Sequence, residues 1–277
     1  MFEILDFDAN FKAYHKKWME LNKGRFKTFE EMEEAMPEVY MRWLNSPAAF
    51  LGGKTPGSFF DEYTSAPELV KWMRLYDAEN VPVPDQLLDR ISDLGKESVK
   101  PLIFTAKNPD HPDSLRMLAL SLLKEVDAGD EPWEMCLDLV LRRSESDELA
   151  DMAAELMQPL CARHADELLM ELDGANEYAK ETLLDLLSNL GGDERILGAL
   201  LQQFESDKTR TALYASLLGK YQDARALPQL QKALSWQEIN YLDYLEIRSA
   251  IEALGGECGV EREFAGDPYY ETLKGQN

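Results

Sequence analysis

The chain has 277 residues, a net charge of −23 and a hydrophobic content of 45%, values that indicate a globular protein with enough apolar side chains for a core. The negative charge is concentrated, because residues 121–200 carry six basic and twenty acidic side chains. A surface of that charge repels phosphate groups, so the composition argues against nucleic acid and against a membrane as the partner.

Residues 1–83 are predicted to form a helical region that differs in composition from the rest of the chain, since it contains three of the five tryptophans. A first helix is predicted over residues 8–22, because large side chains recur there on one helical face. Those side chains are Phe11, Tyr14, His15 and Trp18. We expect the whole region to act as an N-terminal helical cap on the helices that follow.

Helix-start signals predict two further helices in this region. Thr28 and Glu31 have the spacing of a capping box, in which two side chains satisfy free N–H groups at a helix start. Ser65 and Glu68 have the same spacing. Pro37 is predicted to interrupt the helix that Thr28 begins, because a proline inside a helix removes a hydrogen bond.

The segment FLGGKTPGSFF, at residues 50–60, contains the glycine-lysine-threonine triplet that ends a nucleotide-binding P-loop. Counting back from Gly53, the first glycine of that motif would be residue 48, which is Ala48. Pro56 also removes an N–H group that a phosphate would need. We therefore predict no nucleotide site, but a glycine turn in which Thr55 caps a helix that begins at Pro56. Three phenylalanines are expected to anchor this turn: Phe50, Phe59 and Phe60.

Residues 84–257 repeat an apolar pattern at intervals of 30 to 34 residues. In LEIRSAIEALGG, at 245–256, the pattern occupies positions i, i+3, i+4 and i+7, which form one face of an α-helix. Glycines at 95, 191 and 255 are expected to end three of these helices in a left-handed conformation. The six copies are Leu87, Arg90, Ile91, Leu94; Ala119, Leu122, Leu123, Val126; Ala153, Leu156, Met157, Leu160; Leu183, Leu186, Leu187, Leu190; Tyr214, Leu217, Leu218, Tyr221; and Ile247, Ala250, Ile251, Leu254.

A second helix is predicted to follow these copies after a short turn. Pro101, Pro132 and Pro228 lie six or seven residues after a copy, where a proline suits the first turn of a helix. The predicted second helices cover residues 98–107, 131–143, 165–173, 193–204 and 225–234. About six helix pairs in succession predict an all-α protein, an α-solenoid in which stacked pairs bury a continuous core.

The stretches LEIRSAIEALGG and YQDARALPQLQKAL, at 245–256 and 221–234, resemble HEAT-like repeats of the phycobilisome-lyase type. The resemblance implies a right-handed α-α superhelix over residues 84–257, with an N-terminal cap at 1–83 and a C-terminal capping tail at 258–277. The middle repeats match in helix periodicity alone. The whole chain also resembles uncharacterised bacterial HEAT-repeat proteins that contain a WLNSPAAFLGGKTPGSFF-like segment, a group that implies no activity. In the tail, we expect Tyr269 and Tyr270 to pack on the last repeat.

The residue types that carry chemistry are sparse. His15, His111 and His164 have no second histidine or cysteine at metal-binding spacing, apart from the single pair Cys161 and His164, and two ligands do not make a zinc site. No G-x-S-x-G or H-E-x-x-H motif occurs. We therefore predict no catalytic residue, no metal and no cofactor. Three cysteines without CxxC spacing, no signal-peptide pattern and no long apolar run predict a cytoplasmic protein with reduced thiols.

These features favour a non-enzymatic scaffold that holds a protein or peptide on the concave face, which the second helices line. The acidic stretch suggests a basic partner. The candidate contact residues on the second helices are Phe104, Trp133, Met135 and Phe204, whose alternative role is to fill the core between helix layers.

The alternative function is a HEAT-repeat enzyme or a chromophore-lyase-like protein that acts on a protein-bound small molecule. A DNA-base glycosylase of this architecture would need a basic concave face, which the charge contradicts. A deep apolar pocket with a buried polar residue would favour an enzyme, and a shallow acidic groove would favour the scaffold. The oligomeric state stays open.

Overall fold

The computed structural model describes residues 3–259 and 261–274. Within those ranges all regular secondary structure is helical, which confirms the predicted all-α class. The chain divides into two compact units, Met1–Met135 and Cys136–Asn277. Over the same described residues, none of the helices combines the length and the apolar character needed to cross a bilayer.

The first unit contains seven complete helices and the start of an eighth. They are α1 (Phe7–Leu21), α2 (Phe29–Glu34), α3 (Met36–Leu44), α4 (Ala66–Ala78), α5 (Asp85–Asp93), α6 (Lys96–Lys107), α7 (Asp113–Glu125) and α8 (Trp133–Leu141), and α8 continues into the second unit. Short 3-10 turns at Ala49–Leu51 and Pro56–Ser58 lie between α3 and α4.

The helix starts near the amino terminus follow the sequence signals in part. The Glu31 N–H donates to Thr28 Oγ1 (3.2 Å), but the Glu31 carboxylate accepts from the Lys27 N–H (2.7 Å) and so completes only half of the predicted box. Pro37 interrupts the helix as predicted, because α2 ends just before it and α3 begins at Met36. Ser65 precedes α4 without a side-chain cap, so the second predicted box is wrong.

The segment between α3 and α4 is the predicted glycine turn. Gly52 and Gly53 have φ angles of 64° and 91°, in the left-handed region that favours glycine. The Gly53 N–H donates to the Ala48 carbonyl (2.9 Å), which closes the turn. Thr55 precedes a 3-10 turn rather than an α-helix, and its hydroxyl lies 2.6 Å from Ser58 Oγ instead of meeting a backbone N–H.

The phenylalanines of this segment anchor it, as predicted, by surrounding the ring of Phe7 at the start of α1. The centroid of the Phe7 ring lies 5.6 Å from Phe60, 5.7 Å from Phe50 and 5.9 Å from Phe59. Phe60 also meets Trp72 of α4 edge to face at 5.2 Å. Aromatic pairs at these distances add to the stability that burial provides, so the turn is held to both α1 and α4.

Helices α4 to α7 pack each against the next-but-one helix of the chain, α4 on α6 and α5 on α7, and α6 packs along α7. The buried Ser98 hydroxyl donates to the Ile91 carbonyl (2.6 Å) and joins α6 to α5. Pro101 lies inside α6, not in its first turn as predicted, because α6 already begins at Lys96, directly after the left-handed Gly95 (φ 55°).

The second unit contains the rest of α8 and eight further helices. They are α9 (Glu148–Met157), α10 (Ala165–Glu171), α11 (Glu177–Leu187), α12 (Glu194–Ser206), α13 (Thr211–Tyr221), α14 (Leu227–Ala233), α15 (Tyr241–Ala253) and α16 (Pro268–Lys274). Here α11 packs on α9 and α12, and α13 packs on α12 and α15. Helices α11 and α13 are therefore each packed between two other helices.

The repeated apolar faces form the cores of both units. Most of their side chains are buried, and five stay partly exposed at the margins: Arg90, Leu94, Leu156, Leu190 and Leu254. Gly95 and Gly255 have positive φ angles of 55° and 76°, as predicted for residues that end a helix. At the third predicted stop it is Gly192 that has the positive φ (87°), so the prediction for Gly191 is one residue out.

The carboxyl-terminal segment packs on α15. The Tyr241 ring lies 4.9 Å from Tyr270 and 6.1 Å from Tyr269, the contact predicted for these two tyrosines. The buried Phe264 ring meets Tyr244 at 5.0 Å. The Tyr241 N–H donates to Asp267 Oδ2 (3.1 Å) and fixes the start of α15 to the tail. Residues 260 and 275–277 of the predicted capping tail lie outside the described residues.

Candidate functional site

A groove with a volume of about 950 Å³ opens on the second unit between α10, α11 and α12. Its apolar lining comes from Leu169, Met170, Leu172, Leu184, Gly198 and Ala199. Its polar lining comes from Asp166, Asp173, Lys180, Arg195, Gln202 and Gln203. Both α10 and α12 are predicted second helices.

The floor of the groove has no side chain at Gly198. A Cβ atom built on Gly198 would meet no atom within 4 Å apart from its chain neighbours and the adjoining backbone of α12, so the space above this part of α12 is open. Met170, which is 74% exposed, forms part of the wall contributed by α10. Met170 therefore offers an exposed apolar surface beside the open space at Gly198.

Gly198 and Gln202 also line a second groove, of about 480 Å³, which includes Gln229 of α14. The Gln229 Oε1 atom is buried and has no hydrogen-bond partner among the described residues. A buried amide oxygen without a partner carries a free-energy penalty, which a donor from a bound molecule would remove. The exposed face of α12 therefore has an open groove on each side.

An aspartate and an arginine fix the amino end of α12 beside α10. Asp193 caps α12 by accepting from the Arg195 N–H (2.9 Å), and the Arg195 guanidinium lies 2.6 Å from Asp193 Oδ2. The same guanidinium lies 2.7 Å from Asp166 Oδ1 of α10. These hydrogen bonds from Arg195 lower the pKa of Asp193 and raise the pKa of Arg195, so both groups stay charged at neutral pH.

The same arrangement recurs thirty residues later along the chain. Asp223 accepts from the Arg225 N–H (3.0 Å), and Arg225 Nη1 lies 2.8 Å from Glu194 Oε1, in the preceding second helix. These two links are not among the features predicted from the sequence. The signal was present as DER at 193–195 and DAR at 223–225, two Asp-x-Arg triplets separated by one repeat length.

The charge of the groove is balanced. Asp166 and Asp173 face Lys180 and Arg195 in the larger groove, so the lining is not the acidic surface that the composition suggested. Acidic side chains stand at the borders instead, with Glu205 lining the smaller groove.

The four candidate contact residues differ in burial. Phe104, on α6, is 63% exposed, and the Arg74 guanidinium lies 5.6 Å from its ring centroid. Trp133 and Met135 are 3% and 5% exposed, at the start of α8. Phe204 is fully buried and meets Trp236 at 5.1 Å. The burial of Trp133, Met135 and Phe204 agrees with their alternative role, which is to fill the core. Binding of a partner at the four positions stays a prediction.

The cysteines and histidines form no reactive grouping in residues 3–259 and 261–274, where no three potential ligands gather around a metal position. The Cys161 thiol donates to the Met157 carbonyl (3.3 Å), and burial raises its pKa to about 11. Burial also raises the pKa of Cys136 to about 12. Both thiols are therefore protonated at neutral pH and poorly nucleophilic.

A polar cleft of about 370 Å³ lies on the opposite side of α11, between α9, α11 and α13. Arg143 spans it, bonded to Asp151 (2.9 Å) and to the Thr182 hydroxyl. The Arg143 side chain is only 14% exposed, so its charge depends on these partners. Arg143 therefore links α9 to α11 across the cleft.

Comparison with known proteins finds no matching family model, no matching curated protein and no matching solved structure. The groove on α10 to α12, with its geometry and its charges, is therefore the basis for a functional proposal.

Proposed function

We propose that the repeated helix pairs form a HEAT-like α-solenoid, a right-handed α-α superhelix, with residues 1–83 as an N-terminal cap. Two observations support this fold. Neighbouring and next-but-one helices pack together within each unit, as stacked helix pairs do. The Asp-x-Arg links at 193–195 and 223–225 also join successive second helices in the same way.

On this fold the protein acts as a non-enzymatic interaction scaffold that holds a segment of a protein partner along α10, α12 and α14. The observation that carries the proposal is the open floor at Gly198, with grooves on both sides of α12. A helix or an extended peptide can approach the backbone closely there, because no side chain blocks it. Three free cysteines fit a protein that works in the reducing cytoplasm.

The partner segment is expected to be amphipathic, with a basic polar face. The side chains of Leu169, Met170 and Leu184 offer apolar contacts to anchor residues of the segment. Asp166 already pairs with Arg195, whereas Asp173 and Glu205 are exposed at the borders of the two grooves. Basic residues on the edges of the segment would pair with these border carboxylates.

Gly198→Trp tests the proposal by filling the floor of the groove. Gly198 lies in a helix with open space around its Cβ direction, so the larger side chain blocks the groove without disturbing the fold. The matched control is Ser216→Trp, at an exposed position of α13 that lines neither groove. Circular dichroism and thermal unfolding should show that both variants fold like the original chain.

The measurement is quantitative mass spectrometry of proteins captured by each immobilised full-length chain from the organism that makes it. Proteins bound by the original chain and by Ser216→Trp should be lost with Gly198→Trp. Their capture should also fall as salt is added, since ionic pairs at the groove borders are screened. Capture of the same proteins by all three chains would overturn the groove as the binding site.

A further inference from the structure

The stretch from residue 8 to residue 38 has no buried side chain, although every residue in it is described. It contains five aromatic side chains that would normally fill a core: Phe11, Tyr14, Trp18, Phe26 and Phe29. Helix α1 buries only Phe7, which precedes the stretch, and α2 buries nothing. Short helices gain most of their stability from packing, so this stretch lacks the cover that its composition calls for.

The most exposed large apolar side chains of the stretch lie near its middle. Leu21, at the end of α1, is 77% exposed, and Phe29, at the start of α2, is 67% exposed. Trp18 and Phe26 form a half-buried pair with ring centroids 5.6 Å apart. These four side chains, which we call the apolar tip, lie near the end of α1, at the start of α2 and in the connection between them. Exposed apolar side chains grouped in this way are a feature of interfaces.

The charges of the same stretch separate into two opposite blocks. Residues 12–27 carry six basic side chains and one acidic one, in a chain whose net charge is −23. Residues 29–38 carry five glutamates and no basic side chain. The basic residues are Lys12, Lys16, Lys17, Lys23, Arg25 and Lys27, and the glutamates are Glu30, Glu31, Glu33, Glu34 and Glu38.

Few of these charges form an ion pair within the described part of the chain. Lys12 pairs with Asp8 at 3.5 Å and Glu38 with Arg42 at 2.8 Å, along their own helices. No ion pair within residues 3–259 and 261–274 involves Lys16, Lys17, Glu30 or Glu33. The basic and acidic blocks are neighbours in the chain, yet the fold leaves them free to pair with another molecule.

We propose that residues 8–38 form the interface of a homodimer, in which the basic block of one copy, residues 12–27, packs against the acidic block of the other, residues 29–38. A surface that carries both complementary blocks fits a second copy of itself, because a two-fold axis forms each contact twice. The apolar tip would then be covered by the same tip of the partner copy. The stretch has the size of a common interface, which uses about 20–30 residues on each side.

A second copy fits this surface better than a nucleic acid or an anionic membrane does. Either of those would meet the basic α1 together with the glutamates of α2, and the glutamates would repel it. The net charge of −23 on each copy opposes association only weakly, since charges are screened beyond about 8 Å at physiological salt. This inference concerns the first unit and does not depend on the groove of the second unit.

Sedimentation velocity of the full-length chain across a wide concentration range gives the first test. We expect a reversible dimer of about twice 31.6 kDa, whose dissociation constant rises with salt. Leu21→Ser with Phe29→Ser should raise the dissociation constant at least about tenfold, a change of about 1.4 kcal/mol. Both side chains are exposed in the single chain, so the fold should not change.

Charge reversal gives the sharper test. A variant with Lys16→Glu and Lys17→Glu has two acidic helices, and a variant with Glu30→Lys, Glu33→Lys and Glu34→Lys has two helices of net positive charge. Each should be monomeric alone, because like charges then meet in both halves of the interface. An equal mixture of the two should form a heterodimer, since each acidic helix then meets a basic one. A variant that had failed to fold would not form a dimer in the mixture, so formation of the heterodimer shows that both variants are folded.

The matched control is Lys96→Glu with Lys100→Glu, which makes the same charge change on exposed residues of α6 and should leave the dimer intact. A native chain that stays monomeric would overturn the proposal. So would variants that stay monomeric when mixed. A monomer that instead binds anionic vesicles or an acidic polypeptide through residues 8–38 would also overturn it and identify a different occupant.

Discussion

Helices α1 and α13 bury their side chains to very different extents. Helix α1 has 15 residues and buries one, Phe7, whereas α13 has 11 residues and buries seven. The cause is the number of neighbours, because α13 packs between α12 and α15 while α1 packs chiefly on α3. The spacing of apolar residues therefore predicts that a helix forms, and the surrounding helices decide whether its face is covered.

A matched pair of leucines should show the largest difference between the two regions. Leu218 in α13 is fully buried and Leu21 in α1 is 77% exposed. We expect Leu218→Ala to lower the free energy of unfolding by about 2–5 kcal/mol, through lost burial and a cavity. Leu21→Ala should change it by about 0.5 kcal/mol or less in dilute protein. Chemical denaturation measures both, and equal losses would contradict the difference in burial.

Substitution of two aspartates at helix starts should also cost more free energy of unfolding in α15 than in α1, with a smaller difference than for the leucines. Asp243 is buried and accepts from the N–H groups of Ala212 and Asn240, both at 3.0 Å, so it joins α13 to α15. Asp243→Ala should cost about 2–3 kcal/mol, because it leaves buried donors without a charged acceptor. Asp6, which caps the exposed α1, should cost about 1 kcal/mol when changed to Ala.

The isosteric change Asp243→Asn is the control for that pair, since it keeps one amide oxygen as an acceptor. Its loss in the free energy of unfolding should lie between those of the original chain and Asp243→Ala. If Asp6→Ala cost as much as Asp243→Ala, the link between α13 and α15 would not be the source of the effect.

Two glycines in the second unit should respond to alanine with opposite signs. A Cβ on Gly219 would lie 3.1 Å from the Cα of Ala250, where α13 and α15 approach closely. Gly219→Ala should therefore destabilise by about 1 kcal/mol or more, since overpacking exceeds the gain in helix propensity. Gly198→Ala has open space and should stabilise by about 0.5–1 kcal/mol. Stabilisation by both substitutions would show that the helices are less tightly packed at Gly219.

The smallest expected effect is on the titration of Asp193. Hydrogen bonds from Arg195 hold the pKa of this carboxyl below its ordinary value of 3.8. A lowered pKa in the folded state means that the stabilisation is present at neutral pH and is lost as the pH falls below about 4. Arg195→Ala should return the pKa of Asp193 to near 3.8, measured by NMR titration. An unchanged pKa would remove Arg195 as the cause.

The sequence predicted most helices, because their signals are local. The interruption near Pro37, the turn at Gly52 and Gly53 and the apolar faces of the repeats all follow from neighbouring residues. Pro101 shows the limit of such signals. Helix α6 begins at Lys96, directly after Gly95, and the presence of a proline does not determine which turn of the helix it occupies.

The candidate contact residues could have been separated by helix geometry. Phe204 lies four residues after Leu200 and eight after Ile196, so it falls on the buried face of α12. Phe104 lies two residues after the buried Leu102, on the other side of α6, and is exposed. In contrast, the groove at Gly198 depends on the distance between separate helices, which no local pattern contains.

The Asp-x-Arg triplets also indicate which insertions would preserve the ion pairs between successive second helices. Arg225 finds its second partner in Glu194, the residue that directly follows the preceding Asp193. Within the segment 193–222, Glu194 accepts from the arginine of the next triplet, Arg225. Arg195 of the same segment pairs with Asp166 in the preceding second helix. A copy of this segment inserted at Asp223 would meet the same partners at both ends, so duplication of whole segments is the change in length that this surface accommodates most simply.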